Sequence, residues 1–250
     1  MFHAKIKAET LKEVIDVISK LVDEAKFKIT KEGLNIKAVD PAHVAMVDLT
    51  LDIKAFEEYK ATEMELGIDI DKFKDVLKLA DSPSDILTLE YNKEKNKIVV
   101  DIGNIKRIMS LVDTSNMVDT KVPTLNLPVK VVVRASAISK GIMASEKISD
   151  HIALVVSPDR LELIAKGNAE ESAILALTKD MKDDVEELEC KQNTKSLFSI
   201  DYFMKMIKSV GSGKVTMNIG ADYPVKLEFN IADGNGRVMY LLAPRIESET

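Results

Sequence analysis

Cysteine is almost missing from this chain: Cys190 stands alone among 250 residues. An internal disulfide is therefore impossible, and a reducing compartment suits the sequence. Long apolar runs are missing as well. None approaches the roughly 20 residues that cross a bilayer, so no membrane partner is expected. The first ten residues mix polar and apolar side chains around Lys5 and Lys7. They lack the apolar segment of a secretory signal. Basic residues are not in excess: 35 Lys and Arg stand against 41 Asp and Glu, a formal charge of −6. A nucleic-acid role would need that charge to be unevenly distributed, because such proteins usually carry a basic excess.

Catalytic signatures are absent too. There is no G-x-S-x-G, no H-E-x-x-H and no G-x-G-x-x-G after a strand. Gly211-Ser212-Gly213-Lys214 is the nearest approach to a phosphate loop. It fails because Val215 follows the lysine and Lys208 stands where the motif needs its first glycine, so it reads as a helix C-cap and turn. His3, His43 and His151 are far apart and, with one cysteine, make no metal spacing. No catalytic residue, metal or cofactor is expected. The run Lys182–Glu187 reads as a mobile acidic loop.

A fourfold internal pattern is present. Lys5–Ala8 has strand character, and Thr10–Val22 places Leu11, Val14, Ile15, Ile18, Leu21 and Val22 at helical spacing. Thr10 and Glu13 have the spacing of a capping box. Strands follow at 26–30, 33–39 and 44–51. The order recurs with a strand at 65–70, a helix at 71–80 and strands at 86–91, 97–102 and 105–112. It recurs again with 129–134, a helix at 135–148, and 151–156, 160–166 and 172–177. The last copy has 196–200, a helix at 201–210, and 214–219, 225–231 and 237–242. The predicted fold is α+β: two similar domains, each of two strand–helix–three-strand units. The domains are 1–113 and 129–250. The joining stretch, 114–128, holds Pro123 and Pro128, has little periodicity and contains no glycine. Unpaired edges of such antiparallel sheets call for partners, and a closed assembly supplies them.

Charge divides along the same pattern. The helix windows 9–22, 71–80, 134–147 and 201–210 carry −1, +1, +2 and +1, so the remainder of the chain carries −9. Helices sharing one surface would attract a phosphate backbone without reading bases. The alternative is that lysine simply favours exposed helix positions.

Three stretches resemble the proliferating cell nuclear antigen family of DNA sliding clamps: Gly33–Val47, Ala221–Pro224 with Phe229–Asp233, and Val238–Glu247. The likeness runs in order along the whole chain, and the short acidic end after Ile246 is similar to archaeal members. The resemblance implies the DNA-clamp fold, a ring trimer with helices lining a hole around double-stranded DNA and antiparallel sheets outside. It implies a processivity factor for DNA polymerase and a docking platform, with no enzymatic activity. Lys12, Lys78, Lys147 and Lys208 match the family's DNA-facing positions, with Lys20, Lys74, Lys140 and Lys205 as neighbours. Glu13, Ser19, Asp75 and Met143 stand where further basic residues are expected.

The family's client pocket, which takes PIP-box peptides, matches His43, Val44, Met46, Leu125, Leu127, Pro128, Pro224, Leu241, Leu242, Ala243 and Pro244. On spacing alone Val44 and Met46 read as strand core. Val39 and Leu241 depart from the larger residues usual there. Expected partners are duplex DNA, further copies of the chain, a clamp loader, DNA polymerase, flap endonuclease and DNA ligase. The expected location is the nucleoid for an archaeal protein and the nucleus for a eukaryotic one. Ring closure is expected to pair an edge near Asn104–Leu111 with one near Glu171–Thr178 of the next subunit. The alternative role is one subunit of a heteromeric or checkpoint-type clamp.

Overall fold

A computed structural model describes residues 1–246. The acidic end, 247–250, lies outside the described residues. The backbone divides into two compact units: Met1–Val122 with Asn230–Val238, and Pro123–Phe229 with the chain from Met239 onward.

Unit one contains β1 (Phe2–Lys7), α1 (Ala8–Ile18), β2 (Glu24–Ile29), β3 (Gly33–Val39), β4 (Ala45–Asp52), β5 (Glu58–Ala61), β6 (Met64–Asp69), α2 (Ile70–Leu77), β7 (Ile86–Asn92), β8 (Lys97–Ile102) and β9 (Ile105–Ser110). Two antiparallel sheets form, β5-β1-β7-β8-β9 and β4-β3-β2-β6. Unit two contains β10 (Val129–Arg134), α3 (Ala135–Ser145), β11 (His151–Ser157), β12 (Arg160–Lys166), β13 (Ser172–Thr178), β14 (Val185–Cys190), β15 (Thr194–Ser199), α4 (Ile200–Ser209), β16 (Lys214–Ile219) and β17 (Val225–Ile231), with β18 (Gly236–Leu242) closing the order. Its sheets are β14-β10-β16-β17 and β13-β12-β11-β15.

The pattern of four is real, and its copies are interleaved. The opening strand of each repeat joins the sheet of its neighbour. Thus β1 pairs with β7, Ala4 facing Leu89, while β6 pairs with β2, Leu66 facing Phe27. In the second unit β10 pairs with β16, Val131 facing Met217, and β15 pairs with β11, Phe198 facing Ile152.

Helix starts are exchanged in the same way. Ala8 N–H donates to Asp85 O at 2.7 Å and Ile70 N–H to Asp23 O at 2.9 Å, while Ala135 N–H donates to Gly213 O and Ile200 N–H to Asp150 O, both at 3.0 Å. Each helix thus has an orphan N–H satisfied by the loop after its partner helix. Within each unit the helices pack as pairs, α1 on α2 and α3 on α4. Leu11, Val14, Ile15 and Ile18 of α1 are buried at no more than 1 % exposure. Each such side chain contributes roughly 1.5–3 kcal/mol of transfer free energy.

Several expectations need correction. No capping box forms at Thr10. The helix begins two residues earlier, its N-cap Lys7 makes no side-chain bond, and Thr10 is buried. Glu13 instead accepts the N–H of Ala232 at 2.7 Å. Helix α1 ends at Ile18, short of the expected Val22, and α3 ends at Ser145, short of Ile148. The acidic run is no free loop: its Val185–Glu187 portion opens β14, which pairs with β10. A register shift between Val132 and Val133 places the inward residues Val185 and Leu188 three apart, which hides the strand from a period-two reading. β5 was equally hidden, because none of its four residues is buried. The glycine pair after α4 does act as a helix end: Gly211, at φ +65°, follows the C-cap Val210.

Candidate functional site

The eight lysines expected to face DNA fall into two groups. Lys74 and Lys78 on and after α2 are tied to Asp71 at 3.0 Å and Asp75 at 2.8 Å. Asp75 raises the Lys78 ammonium above its ordinary value, and Lys78 holds the Asp75 carboxyl below the usual range. Lys205 is paired with Asp201 at 2.7 Å and lies over the Tyr202 ring. Lys12, Lys20, Lys140, Lys147 and Lys208 form no ion pair among the described residues, and all but half-exposed Lys20 are exposed. Lys20, Lys78, Lys147 and Lys208 lie in or just past the last turn of a helix, where a cation also favours the helix dipole.

The positions lacking an expected base have structural uses. Glu13 holds the left-handed turn at Ala232 and Asp233 (φ 53° and 52°), and the Ser19 hydroxyl donates to Asp16 O at 3.0 Å. Asp75 is the Lys78 partner, and Met143 is an exposed apolar side chain on α3.

In unit one the residues expected to take a client sit on a loop that Asp40 builds. Its carboxylate, 2 % exposed, accepts the N–H groups of Ala42, Val44 and Ala45 at 3.0, 2.8 and 2.7 Å. This turn puts His43 at φ 57°, exposed, with Val44 half-buried beside it. Met46 is only 6 % exposed and belongs to the strand core. A cavity of about 250 Å³ opens next to His43, lined by Val22, Ala25, Val39, Met117 and Val118.

The chain at 116–120 is held over that cavity by charge. Lys26 and Lys28 reach Asp119 at 2.6 and 2.7 Å, and Lys26 also donates to Met117 O at 3.1 Å. Hydrogen bonds from Lys26 and then Lys28 pull the Asp119 carboxyl down to about 2. Asp119 in turn pushes the Lys28 ammonium above its ordinary value. Neither Asp40 nor the Lys26–Lys28–Asp119 cluster was picked out by sequence reasoning. The Asp40-Pro41 pair is a turn signal that could have found the first. The second joins residues 91 apart and leaves no local signal.

In unit two, Leu125, Leu127 and Pro128 are half-buried. Leu127 and Pro128 lie over the turn at Gly220, where an added Cβ would meet Leu127 at 3.0 Å and Pro128 at 3.5 Å. The buried Ser196 hydroxyl fixes this turn, donating to Gly220 O at 2.7 Å and accepting from Asp222 N–H at 2.8 Å. Pro224 follows half-buried, and Tyr223 beside it is 53 % exposed, a large ring that sequence reasoning did not single out. Leu241 and Leu242, at 6 % and 1 % exposed, are core residues; Ala243 and Pro244 are half-buried. Arg245 then donates its N–H to Leu197 O at 2.7 Å.

Two family descriptions cover the chain: "Proliferating cell nuclear antigen, N-terminal domain" matches residues 1–124, and the corresponding C-terminal domain matches 121–245. A protein of Methanocella arvoryzae named DNA polymerase sliding clamp is 42% identical over 251 residues, covering 100% of both chains. One of Methanosarcina barkeri with the same name is 41% identical over the same span. Among solved structures, the Archaeoglobus protein described as "C-terminal region of FEN-1 bound to A. fulgidus PCNA" superposes with TM-score 0.90 at 34% identity, covering 100% of both chains. PCNA from Thermococcus kodakaraensis superposes with TM-score 0.89 at 30% identity, covering 98% of this chain. With both domains matched in order and full-length relatives above 40% identity, the chain belongs to the proliferating cell nuclear antigen family.

Proposed function

We propose that this protein is a DNA polymerase sliding clamp. It works as a subunit of a ring trimer that surrounds duplex DNA and tethers replication and repair enzymes. The observation that carries this reading is the full-length likeness to archaeal proteins of that name, over a chain built twice from the same interleaved unit. The tether raises the local concentration of a client at the primer end, and processivity follows. The lysines supply weak phosphate contacts that exchange as the ring slides. Copies join through edge strands: β9 and β13 each end a sheet of their own unit, with Ile108 at 59 % and Ile174 at 62 % exposed. A clamp loader would open that closure.

Clients dock by PIP-box peptides against the His43–Val44 loop, the connector residues Leu125, Leu127 and Pro128, the Tyr223–Pro224 turn and the Ala243–Pro244 segment. A purified sample should scatter light as a trimer and should stimulate polymerase primer extension on a circular template. A stable monomer without stimulation would favour a subunit of a mixed clamp. The peptide surface is checked by calorimetry: Val44→Glu should abolish PIP-box peptide binding without unfolding the chain, and retained affinity would remove this loop from the pocket.

A further inference from the structure

The sheet β13-β12-β11-β15 exposes a face that neither the DNA lysines nor the client loops use. Its register sets an apolar row across three strands: Leu197 faces Ala153, and Ala153 faces Ile164. Ala153 is the smallest of the three, so the row dips at its centre. The row on one side pairs Lys195 with Val155 and Val155 with Glu162. On the other side His151 faces Ser199, and Lys166 follows Ile164 on the same face of β12. The resulting concavity has a volume of about 590 Å³, with Lys166 and Lys195 both on its lining.

A further cation closes one end. Arg245, tied by its backbone to Leu197, donates from its guanidinium to Nε2 of His151. Burial, and then the Arg245 charge, hold the His151 imidazole below its ordinary value, so it accepts this bond in its neutral form. Three cations thus rim an apolar floor, against the single carboxylate of Glu162 on that face of the three strands. A phosphate would gain nothing from Leu197, Val155 and Ile164, and a purely apolar ligand would gain nothing from the cations. Complementarity calls for an apolar side chain flanked by carboxylates.

We propose that this concavity binds an acidic-apolar peptide segment of a client protein, continuing beyond Pro244 the docking surface described above. The inference rests on that docking reading. The test uses two labelled peptides, a PIP-box peptide alone and the same peptide extended at either end by Glu-Leu-Glu-Glu. They are titrated against wild type and the Lys166→Glu, Lys195→Glu double variant.

One of the two extensions should tighten binding to wild type roughly three- to tenfold, the gain of two or three exposed charge pairs. The double variant should lose that gain and bind the unextended peptide unchanged. Equal affinity of extended and unextended peptides, or a gain that survives the double variant, would overturn the inference and leave the docking surface standing. Failure of the unextended peptide to bind wild type would overturn both. Weakened binding of a duplex oligonucleotide to the double variant, with no change for the peptides, would make the face a phosphate contact instead.

Discussion

Glu13 shows how one side chain can be withdrawn from a surface role by a backbone need. Ala232 and Asp233 both have positive φ, a conformation that non-glycine residues adopt at a cost, and the Glu13 carboxylate satisfies the Ala232 N–H within it. Glu13→Ala should lower stability by about 1 kcal/mol in chemical denaturation, and Glu13→Gln, which still offers an oxygen, should retain most of it. Equal losses for both would mean that packing alone, without the hydrogen bond, holds the turn. Asp119 offers a second test. Its carboxyl is depressed to about 2, so the tether it forms is complete above the ordinary carboxylate range and is lost as pH falls toward 2. A carboxyl-carbon NMR titration should give a midpoint near that value; an ordinary midpoint would show that the Lys26–Lys28 contact is not populated.

At the level of elements, α2 and α3 offer DNA different charges. Lys78 already has its counter-ion in Asp75, whereas Lys147 has no ion pair among the described residues. Lys147→Ala should therefore reduce the salt dependence of DNA binding by about one phosphate contact, and Lys78→Ala by distinctly less. Equal slopes would contradict the division. β6 carries a different constraint. Gly67 bridges to Val112, and a Cβ there would stand 2.1 Å from the Val112 carbonyl oxygen. Gly67→Ala should cost about 1–3 kcal/mol by denaturant melt, as the strand is pushed from that contact.

The elements legible in sequence were those with one clean period. β3, β8, β10, β12, β16 and β17 occupy the expected residues, because alternation of buried and exposed positions is unbroken there or nearly so. The bulged β14 and the wholly unburied β5 have no such signal. Candidate side chains were recovered through likeness to the family. The supports beneath them, Asp40 and Ser196, act through backbone groups that no hydropathy pattern records.

For the whole protein, the proposed ring depends on strands that end their sheets with apolar side chains bare. Ile108→Glu or Ile174→Glu should shift sedimentation from trimer toward monomer and abolish primer-extension stimulation; intact trimers from both would place the closure elsewhere. The folding of unit one has its own requirement. Glu13 meets Ala232 across 219 residues of chain, and Asp52 donates its N–H to Asn235 O at 2.8 Å. The stretch that completes the first unit is therefore among the last to leave the ribosome. A nascent chain stalled after Val122 has β1 and β7 available to pair, yet lacks the segment Asn230–Val238 that covers Leu51 and answers Glu13. Neither half of the gene, expressed alone, encodes a finished domain.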